Sequence, residues 1–239
     1  MKNSSAGGAV ILGAFLCAGL TILGYLVAGG LAGIRVPVRT VTVKGLAERE
    51  VRANRAIWPM TIVRTDNKLD SLYRNLEKDL DRVTSFLKAS GFGDEEITVS
   101  APTIVDKQAQ GYGDTSKLKY RYFARSSVTV FSNKVDVVRR TMKKLMVLGK
   151  AGIVFGGDRY ENRAEFVFTD LNAIKPEMIQ EAIANAGKVA EKFARHTGSR
   201  LGRIKRASQG LFTITDRDCN TAWIKKVRVV TTIVYELVD

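Results

Sequence analysis

The sequence predicts an α+β domain with mainly antiparallel sheets and three helices packed on them, preceded by one transmembrane helix. Three observations predict this class. An uncharged apolar run occupies residues 9–34. Segments in which apolar and polar residues alternate indicate half-buried strands, and three segments with apolar residues three and four apart indicate amphipathic helices. Their order is β-β-α-β-β-α-β-α-β-β, in which neighbouring strands can close as hairpins.

The composition indicates a folded, strongly cationic protein. The chain has 239 residues, of which 45% are hydrophobic and only four are proline, so it can bury a proper core and is not a disordered tail. Its 38 Lys and Arg residues outnumber 24 Asp and Glu residues, which gives a formal net charge of +14. Such a charge attracts phosphates, acidic lipids or acidic polymers. The composition therefore predicts an anionic partner and leaves its class open.

We divide the chain into a short N-terminal tail, residues 1–8, a membrane anchor, residues 9–34, and an α+β domain, residues 35–239. As a helix the anchor would span roughly 39 Å, against about 30 Å for the hydrocarbon core of a bilayer. The alternative is a cleaved signal peptide, whose apolar region is usually only about 7–15 residues long. The length of the run therefore favours an uncleaved anchor.

The charges that flank the anchor leave its orientation open. Lys2 precedes the apolar run, whereas Arg35, Arg39, Lys44 and Arg49 follow it. Counted locally, these charges would keep the domain in the cytoplasm. Long domains, however, cross the membrane largely regardless of charge.

The domain is predicted to begin with two strands and a helix. Val41 and Val43 alternate with polar neighbours in the first strand, and residues 56–63 form the second. Pro59 cannot donate a ladder hydrogen bond, which places the second strand at an edge or a bulge. Apolar residues three and four apart over residues 69–87 predict the first helix.

Two further strands are predicted over residues 97–105 and 118–130, with a polar loop over residues 107–117. The second helix is expected after Ser132 and Asn133, and it ends near residue 149.

The last part of the domain is predicted to hold a strand pair, a long helix and two long strands. The strand pair falls within residues 152–168, and the helix within residues 172–198. The final strands contain residues 212–214 and 223–237. The buried stripe of the long helix is expected to be Met178, Ala182, Ala186, Val189 and Phe193.

The polar stretch between the last two strands is the candidate catalytic loop. As a site of hydrolase type, Asp216 and Asp218 would be paired carboxylates, Arg217 would hold one of them, and Ser208 or Cys219 would be a nucleophile. As a plain hairpin connection, its Asp and Asn side chains would cap turn amides. We favour the turn, because no neighbouring histidine or lysine is implied as a proton partner.

The remaining reactive residues predict no metal site and no cofactor. His196, the single histidine, is expected at the end of the long helix, where the helix dipole favours a positive side chain. Cys17 and Cys219 are not expected to bridge each other, and Cys219 is expected to be a free thiol or a link between subunits. The sequence has no Cys-x-x-Cys spacing for zinc and no phosphate loop ending in Gly-Lys-Ser/Thr.

Clusters of basic residues are the best functional signal. A solvated surface is the ordinary explanation for them, but the net charge favours binding to an anionic surface. In a periplasm the partner would be anionic lipid or an acidic envelope polymer, and nucleic acid ranks lower because no exposed aromatics show base-stacking spacing. The candidate binding residues are Arg139, Arg140, Lys143, Lys144, Arg203, Lys205, Arg206, Lys225 and Lys226.

Six segments, in order, carry a resemblance to a known family. The segments are VTVKGLAERE, RAIWPMTI, YRYFA, FTDLNAIKPEMIQEAIANAGKVAEKFA, GSRLGRIKRASQGLFTITDRD and IKKVRVVTTIVYEL. On these segments the chain resembles the SIMPL domain family of bacterial envelope proteins from about residue 38 to its end.

This resemblance implies an exported or membrane-anchored α+β domain that forms large homo-oligomers and contributes to envelope integrity or stress tolerance. It supplies no established reaction, cofactor or catalytic residue, so a non-enzymatic role is favoured. It also implies a single-pass protein of the bacterial inner membrane with its C-terminal domain in the periplasm.

Overall fold

A computed structural model describes residues 4–32, 39–109, 119–157 and 162–239. Most of the loop predicted over residues 107–117 lies outside these ranges. The first residue of the strand predicted over 118–130 and four residues of the strand pair predicted over 152–168 also lie outside them.

The α+β class is confirmed. The described residues form antiparallel sheets, an apolar N-terminal helix and four further helices. The elements, in chain order, are α1 (Ser4–Ala32), β1 (Thr40–Arg52), β2 (Arg55–Asp66), α2 (Leu69–Ala89), β3 (Ile97–Val99), β4 (Thr103–Asp106), β5 (Tyr122–Ser132), α3 (Val135–Lys144), α4 (Met146–Lys150), β6 (Glu165–Val167), α5 (Leu171–His196), β7 (Arg200–Gln209), β8 (Thr213–Asp216) and β9 (Ile224–Val238).

Two predicted elements are each divided in two. The second predicted helix is interrupted at Leu145, so α3 and α4 replace it, and the described residues of the domain form four α-helices where three were predicted. The strand predicted over residues 97–105 becomes β3 and β4, which pair in turn with β5. Pro102 lies between them and cannot donate to the ladder, and the register shifts by one residue there, which is a bulge.

Helix α1 is long and apolar enough to cross a membrane. Its segment Val10–Ala28 has a mean hydropathy of 2.3, and none of it is buried. Within the helix, Thr21 Oγ1 donates a hydrogen bond to the carbonyl oxygen of Cys17 at 2.7 Å, which satisfies the hydroxyl without an outside partner.

The strands form two sheets. In one sheet the order is β1-β9-β7, with β8 also paired to β9; in the other it is β3-β5-β2-β6, with β4 also paired to β5. The chain divides into two compact units, of which the smaller holds Met1–Lys44, Ala186–Ser208 and Thr232–Asp239. The larger holds Gly45–Asn185 and Gln209–Thr231.

The main core of the larger unit forms where α2 packs on β2 and β5. The strands pair in antiparallel register from Ala56 opposite Ser132 to Asp66 opposite Tyr122. They bury Trp58, Met60, Ile62, Val128 and Val130 beneath a helix stripe made of Leu72, Leu76, Val83 and Leu87. The predicted period of α2 is thus confirmed.

Pro59 lies inside the strand order, and its nitrogen faces an unpaired stretch. On that side β2 pairs with β6 only at residues 55–57. The amides of Thr61 and Val63, which point the same way, donate to Asn162 Oδ1 at 2.8 Å and to the carbonyl of Val154 at 3.1 Å. On its other side β2 pairs with β5, where Pro59 lies opposite Thr129. The missing donor of Pro59 therefore falls on the side of β2 where no strand of the described residues pairs at this position.

Helix α5 buries a stripe of one methionine and four alanines at a spacing of four residues. Met178 and Ala182 are buried in the larger unit, and Ala186, Ala190 and Ala194 in the smaller unit. The expectation that Val189 and Phe193 are buried is wrong, because they are 38% and 54% exposed. Alanine at every fourth position lets the backbone approach its neighbours closely, so the small residues face inward.

Candidate functional site

The candidate catalytic loop connects the strands of a hairpin in the larger unit. Strands β8 and β9 pair in antiparallel register from Thr213 opposite Arg228 to Asp216 opposite Lys225. The amide of Arg217 then donates to the carbonyl of Ile224 at 2.9 Å, which closes the loop. The loop is therefore held at its neck by backbone hydrogen bonds.

Asp218 organises this loop as a turn. Its Oδ1 accepts hydrogen bonds from the amides of Asn220 at 2.9 Å and Thr221 at 2.8 Å. Its Oδ2 accepts from the Thr221 hydroxyl and from Arg217 Nε, the latter at 3.0 Å. The Thr221 hydroxyl, with Arg217 second, lowers the pKa of Asp218 to about 2. At neutral pH this carboxylate is ionised, and both of its oxygens accept hydrogen bonds from the loop. This is the state of a carboxylate that caps a turn, whereas a general acid must carry a proton to donate.

Arg217 ties the loop to β1 as well as to Asp218. Its Nη1 lies 3.4 Å from Glu50 Oε2, and both partners are in the larger unit. The hydrogen bond to Asp218, assisted by Glu50, raises the pKa of Arg217. Its charge is therefore already engaged by two carboxylates.

Asp216 has a different environment. Its Oδ1 pairs with the ammonium of Lys225, whose side chain is only 10% exposed, and its Oδ2 lies 3.5 Å from Arg163 Nη2. The structure therefore places a lysine beside Asp216, and the expectation that none lies there is wrong. The pairing register of β8 and β9 predicts this contact, because Asp216 and Lys225 are direct cross-strand partners.

A cavity of about 550 Å³ opens beside this ion pair. It is lined by Arg163, Glu165, Phe166, Asp216 and Lys225, among others, and by neither Arg217 nor Asp218. The two aspartates thus have separate partners, and the structure does not present them together as a pair facing one bond. Arg163 and Lys225 were not among the residues predicted for the catalytic alternative.

The basic residues of α3 divide into one that is engaged and three that are open. Arg139 lies over the ring of Trp223, with 3.6 Å between its guanidinium carbon and the ring centroid, and it donates to Asp136 at 2.9 Å. Arg140, Lys143 and Lys144 are exposed, and none of them has an acidic partner among the residues that the structure describes. Open cations of this kind can bind an anionic surface.

A second, mostly apolar cavity lies beside Arg139. It has a volume of about 320 Å³ and is lined by Arg139, Met142, Lys143, Phe166 and Trp223. Phe166 and Trp223 meet edge to face with their ring centroids 6.4 Å apart. The cavity therefore has aromatic walls and a cationic rim.

The other predicted cations differ in availability. Lys225 is buried against Asp216, and Lys226 pairs with Glu48 at 2.6 Å. Arg203, Lys205 and Arg206 lie on β7 in the smaller unit; they are exposed and have no ion pair within the described ranges. Of the nine predicted residues, the open ones are therefore on α3 and β7.

The remaining reactive residues are placed as follows. His196 is the last residue of α5 and is exposed. Cys17 and Cys219 are both free and exposed. Among the residues 4–32, 39–109, 119–157 and 162–239, no group of three or more His, Cys, Asp or Glu side chains is placed to hold a metal ion.

Comparison with known proteins identifies the domain. A family model described as SIMPL, a protein of unknown function (DUF541), matches residues 41–220. No curated protein matches the chain. The family match covers more than half of the chain and includes helices α2 to α5 and the strands up to β8, and it ends before β9. This protein therefore belongs to the SIMPL family.

Proposed function

We propose that this protein is a single-span protein of the bacterial inner membrane whose SIMPL domain lies in the periplasm, self-associates, and supports envelope integrity or stress tolerance without catalysing a reaction. Helix α1 carries this proposal. It is 29 residues long, it has no acidic or basic residue in its first or last turn, and its apolar segment is not buried by the rest of the chain. Hydrocarbon is the environment that suits such a surface.

The periplasmic side is inferred from the family resemblance, since the flanking charges leave orientation open. Protease protection on intact spheroplasts tests it. We expect external protease to degrade the domain, and alkaline extraction to leave the uncleaved chain in the membrane. Full protection of the domain, or its release by alkali, would contradict the proposal.

Self-association is supported by an open strand edge. Strand β7 ends the order β1-β9-β7, and on it Ile204 is 54% exposed. Exposed apolar edge strands are surfaces on which further strands pair. Light scattering of the detergent-solubilised chain should give a mass above the monomer, and Ile204→Lys should lower it. A strictly monomeric chain at high concentration would count against this part.

The second candidate function is binding to an anionic lipid or envelope polymer. It is favoured by Arg140, Lys143 and Lys144, which lack acidic partners among the described residues. Such binding should weaken steeply as salt rises from low to moderate concentration. Binding that does not depend on salt would contradict it.

A hydrolase-type role for Asp216, Arg217 and Asp218 is the third hypothesis. The separate partners of the two aspartates weigh against it. It would be supported if purified protein hydrolysed a substrate and Asp216→Asn abolished that activity while the fold was kept.

A further inference from the structure

The first two residues of α4 expose large apolar side chains to solvent. Met146 is 71% exposed and Val147 is 59% exposed. They are adjacent, so they form one apolar point. A helix end that met only water would not favour two such neighbours, and contiguous exposed apolar side chains mark contact sites.

The residue that follows this apolar point packs in the core and fixes its position. Leu148, the next residue, is 5% exposed and belongs to the main core of the larger unit. Its amide donates to the carbonyl of Leu145 at 3.0 Å, and its carbonyl accepts from the amide of Ile153 at 3.2 Å. Gly152, at a φ of +85°, turns the chain back just after α4. The exposure of Met146 and Val147 is thus fixed by the way α4 packs on the core.

Four cations surround the apolar point in sequence. Arg140, Lys143 and Lys144 precede it and Lys150 follows it; all four are exposed, with no acidic partner within the described ranges. The nearest acid on α3, Asp136, is paired with Arg139. The C-terminal dipole of α3 accounts for a preference for Lys143 and Lys144, but it does not account for the two exposed apolar residues.

Exposed cations next to exposed apolar side chains favour one kind of partner. A soluble polyanion would engage the cations and leave Met146 and Val147 in water. An anionic bilayer accepts both, because cations bind its phosphates while apolar side chains enter the boundary between headgroups and acyl chains. The membrane-spanning helix of the same chain would keep the domain beside such a bilayer at a high effective concentration.

We infer that the surface formed by the end of α3 and by α4 is a membrane-docking surface, in which Met146 and Val147 insert at the interface of an anionic bilayer and Arg140, Lys143, Lys144 and Lys150 bind its lipid phosphates. This inference rests on the proposed membrane anchor. It adds a second, reversible contact that depends on lipid charge.

The test uses the full chain with Cys17 and Cys219 replaced by serine and a fluorescent label on Val147→Cys. The chain is placed in nanodiscs of phosphatidylcholine, with or without a third of phosphatidylglycerol, that contain lipid-borne quencher. The label is expected to be quenched in the anionic discs at low salt and released at high salt. A label on Val99→Cys, also exposed and in the same unit, is the matched control and should stay unquenched.

A charge variant separates docking from mere proximity. Lys144→Glu should lower the docked-to-free ratio by fivefold or more, since one cation at an anionic surface is worth about fivefold. Lys78→Glu, which makes the same change at an exposed lysine of α2, should leave the ratio unchanged. Equal quenching at positions 147 and 99, or equal quenching in neutral and anionic discs, would overturn the inference.

Other occupants of the surface give different results. If Val147→Ser lowered the mass of the oligomer and quenching were absent, the surface would contact a second copy and the inference would be wrong. If Lys144→Glu weakened binding to soluble polyphosphate and quenching were absent, a polymer would be the partner and the inference would again be wrong. A chain that failed to enter discs would refute the anchor, and flotation with anionic vesicles, comparing the same two lysine variants, would then decide whether the docking surface exists.

Discussion

Removing the guanidinium of Arg64 is expected to destabilise the larger unit more than any surface ion pair can. Arg64 on β2 pairs with Asp79 on α2, whose side chain is only 2% exposed. The hydrogen bond to Asp79 raises the pKa of Arg64, against the opposing effect of burial. The Asp79 carboxyl group is therefore buried, and Arg64 is its closest cationic partner.

The variant Arg64→Met leaves that carboxyl group without its closest partner. Breaking a buried pair from one side costs about 3–5 kcal/mol, a large part of the roughly 5–15 kcal/mol that stabilises a domain. We expect the lower end of this range, because Arg82 Nη1 lies 4.0 Å from the other carboxylate oxygen and supplies some charge. With a urea slope of about 2 kcal/mol per M, the unfolding midpoint should fall by roughly 1.5 M.

The assay is urea unfolding of the full chain in mild detergent, followed by the fluorescence of Trp58, which is buried in the same core. The control is Arg74→Met, which breaks the Arg74–Asp70 pair on the same helix, where the side chains are 63% and 77% exposed. Its cost should be below about 1 kcal/mol. The double variant Arg64→Met/Asp79→Leu removes both charges and should regain most of the lost stability. The reasoning fails if Arg64→Met costs no more than Arg74→Met, or if the double variant is as unstable as the single one.

Three further predictions concern the core, the hairpin loop and a close backbone approach. Leu76→Ala, in the main core, should cost about 2–5 kcal/mol in urea unfolding, and Leu69→Ala, at a position 42% exposed, much less. Asp218→Ala should lower the Tm at neutral pH. Because the folded pKa of Asp218 is about 2, its contribution is complete above the unfolded value of about 3.9 and is lost as pH falls through about 2, so thermal melts should converge with the wild type there. Gly156→Ala should also lower the Tm, because the added Cβ would collide with the Val63 side chain. The second substitution Val63→Ala should restore part of the lost Tm. Equal Tm values for Gly156→Ala and the wild type would contradict this prediction.

The elements that sequence reasoning found best are those with a strong local period. Helix α2 was predicted from residues 69–87 and is found over Leu69–Ala89, because each turn contributes an apolar residue to one face. A positive φ of 101° at Gly91 marks its end. Local sequence therefore suffices where the period and the end signal agree.

The misplaced features depend on contacts between distant segments. The spacing of apolar residues around Leu145 gives no sign that the helix is interrupted between α3 and α4. On α5, Ala190 is buried instead of Val189 because the helix approaches its neighbours closely there. The same holds for the cavity beside Asp216. Its wall includes β6, which lies some fifty residues before the hairpin, so no reading of the loop alone reveals it.

Helix α1 is apolar on every side, without a polar stripe that would distinguish one face from another. In hydrocarbon, rotation of such a helix about its own axis changes its solvation very little. As the proposed anchor, α1 would set the depth of the chain in the bilayer but would give it no preferred rotation about the helix axis. Any fixed orientation must come from the folded domain itself, so charge variants on its surface should alter how the protein faces the lipid without altering how firmly it is inserted.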